Sequence, residues 1–240
     1  MKITLIRSAA LLFLASIFTL TVSAQRVKGN GKLIEKTRQV GNFESLGVSG
    51  SFDMFLVMGN EGKIELGVEE NLEPYLITEV ENGKLKIKWK KGSNINTTKK
   101  TTVTVYFEEL SGVALAGSGD IISRDAIASD EMDVAVAGSG DIRLELKVNS
   151  TQAAVSGSGD IELSGTSTEF DAAVAGSGDI DASELQSQKA DLKISGSGTI
   201  KASVANEIVA RISGSGDIKY KGNPKVEDIK VSGSGKVSTY

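Results

Sequence analysis

Gly117-Ser118-Gly119-Asp120-Ile121 is a five-residue phrase that recurs, with small changes, through the second half of the chain. Its first glycine returns at Gly138, Gly157, Gly176, Gly196, Gly214 and Gly233, in steps of 21, 19, 19, 20, 18 and 19 residues. A near-constant period of this size marks stacked structural repeats, each too small to bury a core alone. Two positions before each first glycine stand Leu115, Val136, Val155, Val174, Ile194, Ile212 and Val231. Directly after the polar slot stand Ile121, Ile142, Ile161, Ile180, Ile200, Ile218 and Val237. The residue just before each first glycine is always Ala or Ser. Each copy therefore reads as a strand, a Gly-Ser-Gly corner, a second strand and a variable polar return.

No apolar period of 3.6 is sustained, which argues against helical repeats. The pattern predicts an all-β fold, a right-handed parallel β-helix (β-solenoid) with coils of about 19 residues. Like columns then stack into ladders at the strand spacing of about 4.8 Å, so seven coils span roughly 30 Å. The handedness follows from the general preference of parallel crossovers. A disordered Gly/Ser linker is excluded, because every Gly-Ser-Gly is flanked by alternating aliphatics able to bury a core. The last coil ends in a strand edge, where Lys236 replaces the usual Asp and discourages edge-to-edge pairing.

Upstream, the predicted solenoid begins at residue 40, with irregular coils over 40–110 and regular coils over 111–240. Val48-Ser49-Gly50-Ser51 aligns on the repeat phrase, putting Phe52 in the second glycine's place and Asp53 in the polar slot. Ile64, Leu66 and Val68 alternate as a strand, and residues 69–76 read as a helical turn with Asn71 as N-cap. Asn82-Gly83 centres a hairpin. After it, Leu85, Ile87 and Trp89 alternate with Lys84, Lys86, Lys88 and Lys90, a half-buried strand with a lysine face. Residues 92–98 read as a polar loop, and residues 25–39 as a polar N-terminal lead-in.

Residues 1–24 have the pattern of a signal peptide: Lys2 and Arg7, an uncharged apolar run, then Val22-Ser23-Ala24 at the cleavage position. Export to the periplasm, the outer-membrane surface or the extracellular space is expected, with no transmembrane segment in the mature chain. The chain has no cysteine, so no disulfide framework and no lipoprotein cysteine beside the cleavage site. It has no histidine, which removes the commonest general base and transition-metal ligand. The net charge of −4 is concentrated in residues 111–240, with 12 basic and 19 acidic residues, which argues against a nucleic-acid partner.

Asp120, Asp141, Asp160, Asp179 and Asp217 share the polar slot, with Thr199 and Lys236 interrupting. Stacked carboxylates about 5 Å apart repel one another and need relief. Hydrogen bonds from local turn N–H groups supply it in one reading, and a bound cation such as calcium in the other. The calcium-binding repeat with Gly-Gly-x-Gly-x-Asp has half this period, and this slot tolerates Thr and Lys, so turn capping is the expectation. No catalytic residue, metal site or cofactor is predicted. Clustered Asp also suggests, as the alternative, a carbohydrate-active β-helix hydrolase or lyase. Against it, the repeat half has only Phe170, Tyr220 and Tyr240 as aromatics, and no long insertion builds a cleft. A further group of candidates for a ligand surface is cationic: Lys193, Arg211 and Lys230 in one outward column, Lys201 and Lys219 in another.

The non-repetitive half carries an order of motifs of its own. Phe43-Glu44-Ser45-Leu46 runs into Val48-Ser49-Gly50-Ser51-Phe52-Asp53. Then come Glu70-Asn71-Leu72, Tyr75, Thr78-Glu79-Val80 and Gly83-Lys84-Leu85, before the repeated Gly-Ser-Gly-Asp-Ile. Together these resemble the bacterial putative auto-transporter adhesin, head GIN domain family, over residues from about 40 to 240. The resemblance implies a secreted or cell-surface β-helical protein without catalytic residues to carry over. Nothing after residue 113 reads as a translocator barrel. The expected function is an exported, non-enzymatic binding or structural module of the cell envelope. Its partner would be a glycan, a cell-surface protein or, through the solenoid end, another copy.

Overall fold

The computed structural model describes residues 25–240; the predicted signal peptide, residues 1–24, lies outside them. The N-terminal part forms β1 (Gln25–Lys28), β2 (Leu33–Gln39), β3 (Ser45–Gly50), β4 (Phe52–Met58), β5 (Lys63–Glu69), β6 (Leu76–Glu81), β7 (Lys84–Trp89), β8 (Ser93–Asn96) and β9 (Thr101–Phe107). The repeat half follows as β10 (Gly112–Gly117), β11 (Asp120–Ser123), β12 (Ile127–Gly138), β13 (Asp141–Gly157) and β14 (Ile161–Gly176). It continues as β15 (Ile180–Gly196), β16 (Thr199–Gly214), β17 (Asp217–Lys221), β18 (Val226–Gly233) and β19 (Lys236–Thr239). The described residues contain no α-helix, only a 3-10 turn at Glu73–Tyr75.

The repeats form a parallel β-solenoid. Gly117 is the register partner of Gly138, Gly138 of Gly157, and so on through Gly176, Gly196, Gly214 and Gly233. Differences in coil length are absorbed away from the corner. The register of β15 against β16 slips between Ala182 and Gln186 and again between Ser187 and Lys189, while the glycine columns stay aligned.

Stacking like on like fills the interior. Ile121, Ile142, Ile161, Ile180, Ile200 and Ile218 form one ladder, each at most 1 % exposed. Each such side chain contributes about 1.5–3 kcal/mol of burial free energy. The corner is glycine for a steric reason. Gly138 has φ +132°, and a Cβ there would lie 2.4 Å from the Gly117 carbonyl oxygen. A Cβ on Gly140 would lie 2.1 Å from the carbonyl oxygen of Gly119. The serine between them is exposed and carries no packing demand.

The degenerate copy at Gly50 does stack as a coil, with Gly50 against Gly117 and Asp53 against Asp120. Phe52 is tolerated in the second glycine's place because the strand on its other side brings Thr101, not a glycine corner. Its ring is buried and packs on Trp89 at 5.0 Å between centroids.

The stack does not follow chain order at this end. β7 pairs in parallel with β3, and β9 with β4, so the layer made from residues 84–107 lies outside the layer made from 45–58. Antiparallel strands close the end: β6 on β7, β5 on β9, and β2 on β5. The hairpin between β6 and β7 turns at Asn82 and Gly83, both at positive φ.

Three local expectations change. Residues 25–39 are not a lead-in but two strands, β1 parallel to β8 and β2 antiparallel to β5. Residues 92–98 are not wholly a loop, since β8 lies inside them. Asn71 does not cap the 3-10 turn, whose N-cap is Leu72. Its side chain instead accepts from Asn30 N and donates to Lys28 O, tying down the β1–β2 connection.

The opposite end is open among the described residues. All of β18 is exposed, including the interior-column residues Ile229 and Val231.

Candidate functional site

Strand alternation sends every second residue of each coil outward. On the strand before the corner, two adjacent outward columns are small over five neighbouring layers. They hold Gly47 and Ser49 on β3, Ala114 and Ala116 on β10, and Ala135 and Ala137 on β12. They continue with Ala154 and Ser156 on β13, then Ala173 and Ala175 on β14. Packing does not require this, because Ala137, Ala154, Ala173 and Ala175 are exposed. Alanine is also depleted in strands, which favour β-branched and aromatic residues. The equivalent outward column after the corner carries charged side chains instead: Arg143, Glu162, Asp181, Lys201 and Lys219.

The small columns form the floor of a groove of about 910 Å3. Cations stand at both of its ends. Lys84, Lys86 and Lys88 of β7 border one end, and the Lys84 stem lies across Gly47. Lys193, Arg211 and Lys230, register partners on β15, β16 and β18, border the other. Several are ion-paired: Lys86 with Glu81, Lys88 with Glu79, Lys193 with Asp191, and Arg211 with Asp228. Among the described residues, Lys84 and Lys230 are in none of these ion pairs. Alongside the floor run Asp133, Gln152, Asp171 and Asp191, one outward column further from the corner. There burial and the Asp191 charge push the Asp171 carboxyl above its ordinary range, against the pull of Lys193.

Lys201 and Lys219 lie on the other outward face, as register partners. Lys201 pairs with Asp181 at 2.8 Å. Burial raises the Asp181 pKa, but the hydrogen bonds from Lys201 and Ser183 outweigh it and hold the carboxyl below the usual range. These cations therefore do not join the groove of Lys193, Arg211 and Lys230.

The aspartates form a ladder of a different kind from the expected local turn cap. Asp141 Oδ1 accepts from Asp160 N at 3.1 Å, and Asp160 Oδ1 from Asp179 N at 2.8 Å. Asp179 Oδ1 accepts from Thr199 N at 2.7 Å, and Asp217 Oδ1 from Lys236 N at 3.0 Å. Each of these four carboxylates thus reaches across to the next coil's polar slot. Asp120 lies between Asp53 and Asp141 in the same column, but there Asp141 N donates to the Gly119 carbonyl oxygen at 3.2 Å. A backbone N–H can be supplied by Asp, Thr or Lys alike; after Thr199, which has no carboxylate, Asp217 N donates instead to the Gly198 carbonyl oxygen at 3.2 Å. A shallow groove of about 290 Å3 borders this ladder, and its other charges are neutralised by the Arg143–Glu162 and Lys201–Asp181 pairs. No group of three or more acidic residues among the described ones is arranged to hold a metal ion.

The lysines of β7 are readable in the sequence as a face, but not as neighbours of the alanine columns. The signal that finds them is the alignment of Leu85 and Ile87 on Leu46 and Val48, which puts Lys86 and Lys88 in the outward slots.

Comparison with known proteins agrees with this architecture. A putative adhesin from Bacteroides fragilis superposes with a TM-score of 0.84 at 21% identity, over 89% of this chain and all of that one. A putative lipid binding protein from Parabacteroides distasonis gives 0.75 at 28% identity, over 90% and 100% of the two chains. A putative adhesin from Parabacteroides merdae gives 0.73 at 26%, again over 90% and 100%. No curated protein matches the chain. The sequence model of the putative auto-transporter adhesin, head GIN domain, matches residues 42–224, and the chain belongs to that family.

Proposed function

We propose that this protein is an exported, non-enzymatic binding module of the cell envelope, and that the groove beside the Gly-Ser-Gly corner is its ligand-binding face. The observation that carries the reading is the groove itself: about 910 Å3, inside the usual range for ligand sites, apolar along its floor and cationic at its ends. Family membership suggests a cell-surface or exported protein. A neighbour at 28% identity bears the name of a lipid binding protein, which supports a ligand with an apolar part.

The carbohydrate-active alternative is not favoured. A glycosidase needs one carboxyl kept protonated by a raised pKa and a partner 5–10 Å or so away across a cleft. The ladder aspartates are occupied with inter-coil hydrogen bonds, Asp181 beside them is held below the usual range, and Asp171, whose carboxyl is raised, stands exposed on an outward strand column. The experiment is a binding screen of the mature chain against glycans, lipids and whole bacterial or host cells, alongside polysaccharide turnover. Saturable binding lost on Ala154→Glu/Ala173→Glu is the expected result. Release of reducing ends from a polysaccharide would overturn the non-enzymatic reading.

The open edge of β18 favours a second activity, end-to-end self-association. Antiparallel pairing of two β18 strands about Ile229 sets Asp228 opposite Lys230 in both copies and covers the exposed Ile229 and Val231. A concentration-dependent dimer in sedimentation, abolished by Ile229→Lys, is expected. A monomer at every concentration would refute it.

A further inference from the structure

We propose that the groove takes a single-chain anionic lipid, its hydrocarbon laid along the alanine floor across the strands and its headgroup held by Lys193, Arg211 and Lys230. This rests on the groove being the binding face, and it names the ligand class.

Length is the first argument. The Lys84 stem covers Gly47 on β3, so the floor free of long side chains runs over four strands, β10, β12, β13 and β14, or three spacings of about 4.8 Å, roughly 14 Å. One leaflet of a bilayer's hydrocarbon is about 15 Å deep. An extended acyl chain therefore fits the floor with the headgroup reaching the next strand, β15, which carries Lys193. A sugar chain finds neither aromatic platform nor ring of side-chain donors there, since the floor offers only Gly, Ala and Ser.

Charge is the second argument, and it decides against a second copy of this chain as the occupant. An alanine-rich sheet face could pack on an identical face. Cations occupy both ends of the groove, so either orientation of two such faces sets lysines against lysines. Like charges placed opposite one another oppose that docking. An anionic headgroup meets the opposite situation. Lys193, Arg211 and Lys230 succeed one another strand by strand, and Lys230 lies outside the ion pairs that engage the other two.

The headgroup end is assigned to this side because at the other end the Lys84 stem lies across Gly47, on the floor itself, whereas Lys193, Arg211 and Lys230 follow on from the last alanine strand, β14. The chemistry is reversible binding: apolar contact along the floor and charge-assisted hydrogen bonds at one end.

The test is calorimetry of palmitate with the full mature protein, below the concentration at which palmitate forms micelles. Saturable one-to-one binding is expected. Hexadecyltrimethylammonium, with the same chain length and the opposite charge, should bind at least about tenfold more weakly. Ala154→Glu/Ala173→Glu, at two exposed positions, should abolish palmitate binding, and Lys193→Glu/Lys230→Glu should weaken it at least about tenfold. Arg143→Glu on the other outward face should leave it unchanged. Unchanged thermal unfolding of each variant would show that the fold is kept.

Three results would overturn the proposal: no palmitate binding, equal affinity for the cationic amphiphile, or full affinity in Ala154→Glu/Ala173→Glu. Binding to anionic vesicles without binding to palmitate would overturn it too, in favour of a membrane surface. Failure here together with retained, groove-dependent attachment to cells would remove the lipid and leave the binding-module reading standing.

Discussion

The backbone N–H of Asp179 donates to Oδ1 of Asp160 across 2.8 Å, linking one coil to the next through a side chain. The same bond recurs between Asp141 and Asp160 and between Asp179 and Thr199. It eases the repulsion built into a column of carboxylates, because Asp141, Asp160, Asp179 and Asp217 each face a backbone donor. The aspartate then acts as an acceptor at an exposed corner, and a cation is not needed to hold the stack. Asp160→Asn keeps an acceptor oxygen and should unfold near the wild-type temperature. Asp160→Ala should lower Tm by roughly 2–4 °C, the effect of losing one such bond in a domain of this size. Excess chelator should leave Tm in place; a large fall would mean that a bound cation carries the ladder.

The two glycines of the phrase and the serine between them should behave in opposite ways. A Cβ on Gly159 would lie 2.1 Å from the Gly140 carbonyl oxygen and 2.8 Å from Val136 Cγ1, atoms held by the coil beneath. Gly159→Ala should therefore cost on the order of 1–3 kcal/mol or more by overpacking. Ser158 is exposed, and Ser158→Ala should change stability by less than about 0.5 kcal/mol. Chemical denaturation of the two variants separates them. Equal stabilities would show that the corner backbone yields, and that glycine is there for another reason.

The regular half was legible because each layer repeats the same steric problem, so the solution recurs in the same columns. Ile142 on Ile161 on Ile180 can be read from spacing alone. The stack order at the N-terminal end could not. There β7 neighbours β3, and the two are separated in the chain by the antiparallel β5 and β6. Which strand lies beside which depends on parallel hydrogen bonding, and residues 84–107 have no glycine corner to declare their place. β1 and β8 were missed for a simpler reason: four-residue polar strands show no alternation to read. The groove suffered from both effects. Its alanine floor and one cationic end lie in the regular half, but its other end is Lys84, Lys86 and Lys88, brought there only by the displaced layer.

Ile161 sits in the middle of the inner ladder, 1 % exposed, between Ile142 and Ile180. Ile161→Ala should destabilise by about 2–5 kcal/mol, combining lost burial with the cavity left behind. Ile161→Asp places an unpaired charge in the same column and should prevent folding at 37 °C. Circular dichroism after purification, or the soluble yield itself, reads both. A folded and stable aspartate variant would contradict the inward orientation of this column and the solenoid register with it.

Glu69 predicts how acid opens the capped end. It is fully buried, and its Oε1 accepts from Gly31 N and from Thr98 Oγ1, each at 2.6 Å. Its Oε2 accepts from Thr98 N at 2.8 Å and Lys99 N at 3.3 Å. Burial alone raises a carboxyl's pKa, but these hydrogen bonds to the charged form outweigh it and set the group below its ordinary value of 4.5. In the unfolded chain the proton therefore binds first. The stabilisation is complete above about pH 4.5 and is lost as pH falls through the lower folded-state value. Glu73, held low by Lys36 and Arg38, acts in the same direction on the same end of the stack. Protonation, or Glu69→Gln, strands donors of the β1–β2 turn and the loop before β9, at about 1–3 kcal/mol for each buried donor left without a partner. Hydrogen-exchange protection at Gly31 and Thr98 should collapse in acid, as pH falls past the ordinary value of 4.5 and through the lower folded-state one, while the Ile161 region stays protected. In Glu69→Gln the same amides should already be weakly protected at pH 7, with a flattened acid response. Equal protection in the variant at neutral pH would mean that another contact closes this end.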